Sequence, residues 1–348
     1  MRKPMLALAV LLAVAGSAVP AQAATSAPGP ATAGVTWSQL MKRKLDLDTA
    51  SAKLTASLPA LKAAVPARNA DLVKAQMAAT TAGVKLTSVT VKDEVAKTSC
   101  AAARTAAATA RTALTAAQKA KPVSKTRVAA AQKALNSADA TVKTRDAALR
   151  TAWNALVAAR TTQTAAAAKV ATATTAIVAA NQAVADAQQK IAGMPALITS
   201  VATQASALSE NVVDQTRATF TTADTTKVYG ITVNKIVAYP FQHLIDDAAK
   251  AGIKMSGGGF RTKAQQIALR TTNGCPDVWT APASSCRVPT AIPGRSLHEL
   301  GLAIDLSTGG KTIPSHTSPA YKWLAANAAK YGFANLPSEP WHWSITGS

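Results

Sequence analysis

Two short stretches in the last third of the chain hold the residue types from which a reactive centre can be built. One is Ser296-Leu297-His298-Glu299-Leu300-Gly301-Leu302-Ala303-Ile304-Asp305, the other Ser338-Glu339-Pro340-Trp341-His342-Trp343. Two imidazoles and a carboxylate are good ligands for a borderline cation, and a catalytic zinc takes three protein ligands while keeping a fourth position for water. His298, Asp305 and His342 are therefore a candidate zinc set. Glu339 stands three residues before His342. Its carboxylate is placed to take a proton from a water whose pKa zinc lowers to ~7. Gly301 and Ala303 keep the chain slim where it passes the ion.

The other polar candidates read differently. His243 falls on a helix in apolar sequence and His316 in a Ser/Thr/Pro loop, so neither is expected to be a ligand. Glu299 is expected to point away from His298 into solvent. Trp341 and Trp343 are expected to wall the site.

These residues need a frame. Val228 to Val233 reads as a strand and Asn234 to Ala251 as an amphipathic helix interrupted by Pro240. Ile253 to Phe260 reads as a strand with a Gly-rich exit, followed by a helix over Lys263 to Arg270. Leu302 to Leu306 and Trp341 to Ile345 read as strands, with a helix over Pro319 to Tyr331 between them. Strands and helices without strict alternation point to an α+β domain with an antiparallel sheet, over 219–348.

Residues 36–218 are of another kind. Seven of the ten residues 101–110 are Ala, and the seventy residues between Pro122 and Gly193 contain neither Gly nor Pro. Such a tract is helical, ~105 Å long if continuous. Pro122 with Ser124 as a cap marks a reversal, giving a helical hairpin or coiled-coil stalk. Pro59, Pro66 and Gly83 are expected to break the first arm, with an irregular interruption over Val84 to Val91. Gly193-Met194-Pro195 is expected to end the second arm before a last helix. Leu135, Leu149, Trp153, Leu156, Val170, Ile177, Val184 and Ile191 are the larger residues available for one apolar stripe.

Arg2 and Lys3, an apolar run from Met5 to Ala15 and Ala21-Gln22-Ala23 read as a secretory signal peptide over 1–23, followed by a flexible spacer over 24–35. No second long apolar run is evident, which argues against a polytopic membrane protein. Export places the chain in the cell wall or outside it, where disulfides persist. Cys275 and Cys286 are then expected to pair, bracing a wall of the site. Cys100 is left over. The net charge is +21, and residues 36–220 carry 24 Lys/Arg against 10 Asp/Glu. In that compartment the counterparts are anionic wall polymers or a membrane surface. Nucleic acid is excluded by export and by the lack of interleaved aromatic and basic residues.

Ser-x-His-x6-Asp followed by Glu-x-Trp-His resembles the zinc D-Ala-D-Ala carboxypeptidases and dipeptidases of the VanY/VanX type. Gly257-Gly258-Gly259-Phe260-Arg261-Thr262 with Gln266 is similar to that family's Gly-Tyr-Arg-Ser and Gln segment, with Phe260 where Tyr is more frequent. The resemblance spans about Thr226 to Ser344 and leaves the helical tract out. It implies zinc on His298, Asp305 and His342, and Glu339 as the base that later protonates the leaving amine. It implies Arg261 on the developing oxyanion or the substrate's terminal carboxylate, with Ser296 and Gln266 helping to hold the substrate. The implied activity is hydrolytic trimming of terminal D-Ala from peptidoglycan stem peptides. An endopeptidase of the same chemistry and a non-catalytic wall-binding scaffold are the alternatives.

Overall fold

A computed structural model describes residues 32–348. The expected signal peptide and most of the spacer lie outside the described residues. The end of the spacer is not flexible, because a helix already begins at Ala33.

Two helices cover most of the chain to residue 219: α1 (Ala33–Lys119) and α2 (Lys125–Thr219). Both run through the expected breaks. Pro59, Pro66 and Pro195 lie inside them, and Gly83 and 84–91 are helical. An interior proline costs ~3 kcal/mol relative to Ala. All three face solvent, where the carbonyls they free stay hydrated, and Ala-rich turns on either side offset the loss. Ser124 accepts from the backbone N–H of Arg127 (3.4 Å), capping α2 as expected.

The chain packs as two compact units. One is Asp46–Thr199; the other joins the described residues up to Leu45 to Ser200–Ser348. In the first, the arms are antiparallel: Gly83 lies against Gln163, Cys100 donates to Asp146 (2.8 Å), and Arg111 meets Asp139 (3.4 Å). Buried Ala103, Ala107, Ala159, Ala166 and Ala187 let the backbones approach, with Leu135 and Leu156 filling the seam. Trp153 does not join them; it is 49% exposed. One window of α2 reaches a mean hydropathy of 1.3, enough by length and composition to cross a membrane, although no second apolar run was expected.

The second unit holds an antiparallel hairpin, a five-stranded antiparallel sheet and flanking helices. β1 (Thr225–Val228) and β2 (Ile231–Asn234) form the hairpin, where one strand was expected. Tyr229 and Gly230 both have positive φ (49° and 84°), the requirement of a tight two-residue turn. Asn234 caps α3 (Lys235–Lys250), which runs uninterrupted through Pro240 in its first turns. β3 (Met255–Gly258), β4 (Ala303–Thr308), β7 (His342–Ser344) and β6 (Ala334–Asn335) lie in that order, with β5 (Lys311–Thr312) on β4. α4 (Lys263–Thr272) follows β3, and α5 (Pro319–Asn327) precedes β6.

The core of this unit reaches beyond residue 219. Trp37, Met41 and Leu45 of α1 and Ala205, Val212 and Val213 of α2 join Phe241, Leu244, Leu324, Tyr331 and Phe333 in one apolar cluster. Trp37 is 1% exposed and donates its indole N–H to Ser209 (3.2 Å). Gly332 lies against that indole, where an added Cβ would come within 2.7 Å of the ring. The helix ends are thus part of the same folded body as the sheet.

Candidate active site

β4 is the strand on which the site is assembled. Its Asp305 lies directly opposite His342 on β7 and opposite Gly258 on β3. Facing residues of an antiparallel pair project on the same side of the sheet, so Asp305 and His342 share a face. Gly257 allows β3 to lie this close: a Cβ there would fall 2.1 Å from the Asp305 carbonyl oxygen.

His298 comes from a short 3-10 helix, Leu297–Leu300, just before β4. Ser296 caps that turn by accepting from the His298 backbone N–H (3.3 Å), and Gly301 ends it in a left-handed conformation (φ 65°). Gly301 is small because the chain passes the Asn234 backbone, not an ion. Glu299 does not point into solvent. It is buried and accepts from the Gly294 backbone N–H (2.8 Å), fixing the loop that leads into the turn.

Three acceptor atoms converge. His298 Nε2 lies 3.2 Å from Asp305 Oδ1 and 3.3 Å from His342 Nδ1, and His342 Nδ1 lies 3.0 Å from Asp305 Oδ1. The far nitrogen of each ring has its own partner. His298 Nδ1–H donates to the Gly259 carbonyl (2.7 Å), and His342 Nε2–H to the Ser348 carbonyl (3.2 Å). In those tautomers both inward nitrogens present lone pairs, so two lone pairs and a carboxylate oxygen face one another. That arrangement calls for a cation at its centre. Ligands ~2.0–2.2 Å from a tetrahedral zinc stand about 3.3 Å apart, so the spacing fits as well as the donor set. Among the described residues this is the one such His/Asp cluster. His243 and His316 lie elsewhere, His243 against Tyr239 and His316 with its ring against Tyr321 and Nε2 near the Pro337 carbonyl.

Electrostatics match the geometry. When the inward nitrogens carry protons instead of facing a cation, burial alone would raise Asp305, but hydrogen bonds from the protonated His298 and His342 rings outweigh it and hold the carboxyl well below the usual range. Burial pulls His342 down, and Asp305 reverses this to leave it raised. Burial pushes half-buried Glu339 above the ordinary carboxylate value, against the pull of His342 and with the push of Asp305. A carboxylate shifted toward neutral pH is a better proton acceptor for catalysis.

Arg261 reaches the same place from the loop between β3 and α4. Thr262 caps α4 in a reciprocal box with Gln265, so Gln266, one turn on, faces back to Arg261. Arg261 donates to Gln266 Oε1 (2.9 Å) and Asp305 Oδ2 (3.3 Å), and Gln266 donates to the Ala291 carbonyl (2.7 Å). Gln266 is 1% exposed, so its amide orients the guanidinium from behind.

Every expected site residue lines one cleft of about 990 Å³: Arg261, Gln266, Ser296, His298, Asp305, Glu339 and His342. Trp341 is a wall of it, whereas Trp343 is buried beneath and donates to the Pro340 carbonyl. Cys275 and Cys286 form a disulfide that closes the loop leading to the cleft rim. Three contributions were missed in the sequence. Asn335 donates to the Glu339 and His342 carbonyls (2.8 and 2.9 Å), pinning the turn between them. Arg270, fully buried, donates to the Thr290, Asp277 and Ala281 carbonyls and so anchors the disulfide loop. Glu210, Val213 and Arg217 of α2 line the cleft as well. Their spacing of three and four was readable, but nothing local tied it to the site.

An antiparallel sheet with flanking helices, carrying a His/Asp/His cluster and a half-buried carboxylate in one cleft, defines an α+β domain with a candidate metal centre. Residues 230–348 match the family model described as VanY: D-alanyl-D-alanine carboxypeptidase, so this part of the chain is a VanY domain. Two curated relatives carry the name D-alanyl-D-alanine carboxypeptidase. The chain is 29% identical over 127 residues to one from Enterococcus faecalis, covering 30% of this chain and 45% of the relative. It is 28% identical over 130 residues to one from Enterococcus faecium, covering 34% and 38%. The chain thus matches less than half the length of either relative.

Proposed function

We propose that the protein is an exported, zinc-dependent D-alanyl-D-alanine carboxypeptidase that removes the terminal D-Ala from peptidoglycan stem peptides. The observation that carries this reading is the convergence of His298 Nε2, His342 Nδ1 and Asp305 Oδ1, with Glu339 and Arg261 in the same cleft. The VanY match and the names of the two relatives supply the substrate class. Export rests on the charged and apolar pattern of the first 23 residues.

Zinc held by His298, Asp305 and His342 would polarise the scissile carbonyl and make a water more acidic. Glu339 takes a proton from the attacking water as its oxygen adds to the carbonyl carbon. It then returns that proton to the departing amine nitrogen as the C–N bond breaks. Arg261, aimed by Gln266 and Asp305, offers its remaining donors to the oxyanion or the terminal carboxylate. Ser296 supports the reaction by holding the His298 turn. The basic helical tract fits anionic wall polymers or a membrane surface as its counterpart.

The test is incubation of the purified full chain with a pentapeptide ending in D-Ala-D-Ala, with and without chelator, alongside metal analysis. One zinc per chain and chelator-sensitive release of free D-Ala are expected. Larger fragments from muropeptides would instead identify an endopeptidase. No bound zinc and no hydrolysis would overturn the reading in favour of a wall-binding scaffold.

A further inference from the structure

The cleft is bounded on one side by residues that lie outside the VanY match. Glu210, Val213 and Arg217 follow one another on a single face of α2, within the same compact unit as the sheet. Arg217 is committed: its guanidinium donates to the Gly294 and Arg295 carbonyls and so ties α2 to the loop before Ser296. Arg261 and Asp305 are engaged with each other and their neighbours, and Glu339 stands at the reacting end. Glu210 and Arg295 are the two lining charges whose side chains have no partner among the described residues. Both are exposed.

A cleft of about 990 Å³ is at the upper end of the range for sites that enclose whole ligands, about 300–1,000 Å³. It holds more than the two terminal residues of a peptide. A carboxypeptidase substrate has a single residue beyond the scissile bond, so only its amino side can extend along the α2 wall. A carboxylate waiting there without a counterion suits a cation.

We propose that the α2 wall is a specificity subsite in which Glu210 takes a free ammonium group on a substrate side chain amino-terminal to the scissile bond. This rests on the peptidase reading above. Arg295 is the matching place for a carboxylate on the same substrate.

The test uses the zinc-loaded full chain and two peptides that end in D-Ala-D-Ala. They differ only in carrying lysine or Nε-acetyllysine immediately before that pair. The free amine is expected to be favoured about threefold in kcat/KM at low salt, expressed in KM, as for an exposed ion pair. The preference should shrink at high salt. Glu210→Gln is expected to bring the ratio close to one. Equal handling of both peptides by the native chain, or a preference that survives Glu210→Gln, overturns the subsite. Hydrolysis of neither peptide instead sinks the peptidase reading. Calorimetric binding of the same pair to the Glu339→Gln chain, with and without Glu210→Gln, then decides the subsite without turnover.

Discussion

Asp305 and His342 are directly paired residues on adjacent antiparallel strands, and their side chains meet at 3.0 Å on one face of the sheet. Strand register, not a loop, sets the distance between two of the three ligand atoms. The third, His298, is held by the capped turn that feeds the same strand.

The ligand set and the base should separate experimentally. His298→Ala and Asp305→Ala are expected to lose both zinc and hydrolysis. Glu339→Gln should keep one zinc per chain and lose about 10²–10⁴-fold in kcat, the range for a general base. Metal analysis beside a D-Ala release assay checks this. Full activity of the Glu339 variant would remove it as the base.

Gln266 acts through Arg261. Gln266→Leu is expected to lower kcat about tenfold while leaving bound zinc unchanged, a fraction of the 10²–10³ that follows loss of an oxyanion donor. Gln266→Glu, which keeps an acceptor for Arg261, should recover part of the loss. Steady-state kinetics with metal analysis distinguishes this from collapse of the site.

The apolar cluster that includes Trp37 and Val212 means that residues 219–348 alone lack part of their core. That fragment is expected to show no cooperative unfolding transition, whereas the full chain does. Within the full chain, Trp37→Ala should cost about 3–5 kcal/mol. Trp153→Ala, at an exposed position, should stay within about 0.5 kcal/mol. Chemical denaturation followed by circular dichroism reads all three.

Arg270→Met should loosen the rim of the cleft. Three carbonyls lose their donor, and that of buried Thr290, left unsatisfied, costs about 1–3 kcal/mol. A lowered unfolding midpoint and faster proteolysis between residues 275 and 291 are expected, with the disulfide still closed.

Stability should also fall in acid. Burial alone would raise Asp247, but donors from Lys250, Tyr331 and Lys330 outweigh it and leave its pKa at about 2, against an ordinary 3.8. A carboxylate depressed in the folded state contributes stability that is full above about pH 4 and lost as pH falls through about 2. With the side chain 30% exposed, the contribution is at most about 2 kcal/mol. Asp247→Asn should flatten the stability profile over that interval in denaturant titrations at stepped pH.

The residues of the site were legible because their pattern is local. His298 and Asp305 are seven residues apart around one turn, and Glu339 lies three before His342. The helical tract was legible from Ala content, but its continuity was not. Local rules assign a break to every proline, and whether a proline faces solvent or a partner depends on how the helix packs. The β1–β2 hairpin was hidden because Tyr229 is not a usual residue for a left-handed turn position.

Sequence alone therefore determined the candidate ligands, the neighbouring acid, the disulfide and the α+β character of the last third, since each depends on residue type and short spacing. Tertiary structure decided that Glu299 is buried, that Gln266 serves Arg261, and that the ends of α1 and α2 complete the core and one wall of the cleft. Burial and pairing between distant segments arise only when the chain is packed, and Trp37, Met41 and Leu45, spaced by four inside an Ala-rich tract, carry no mark of the partner they will meet.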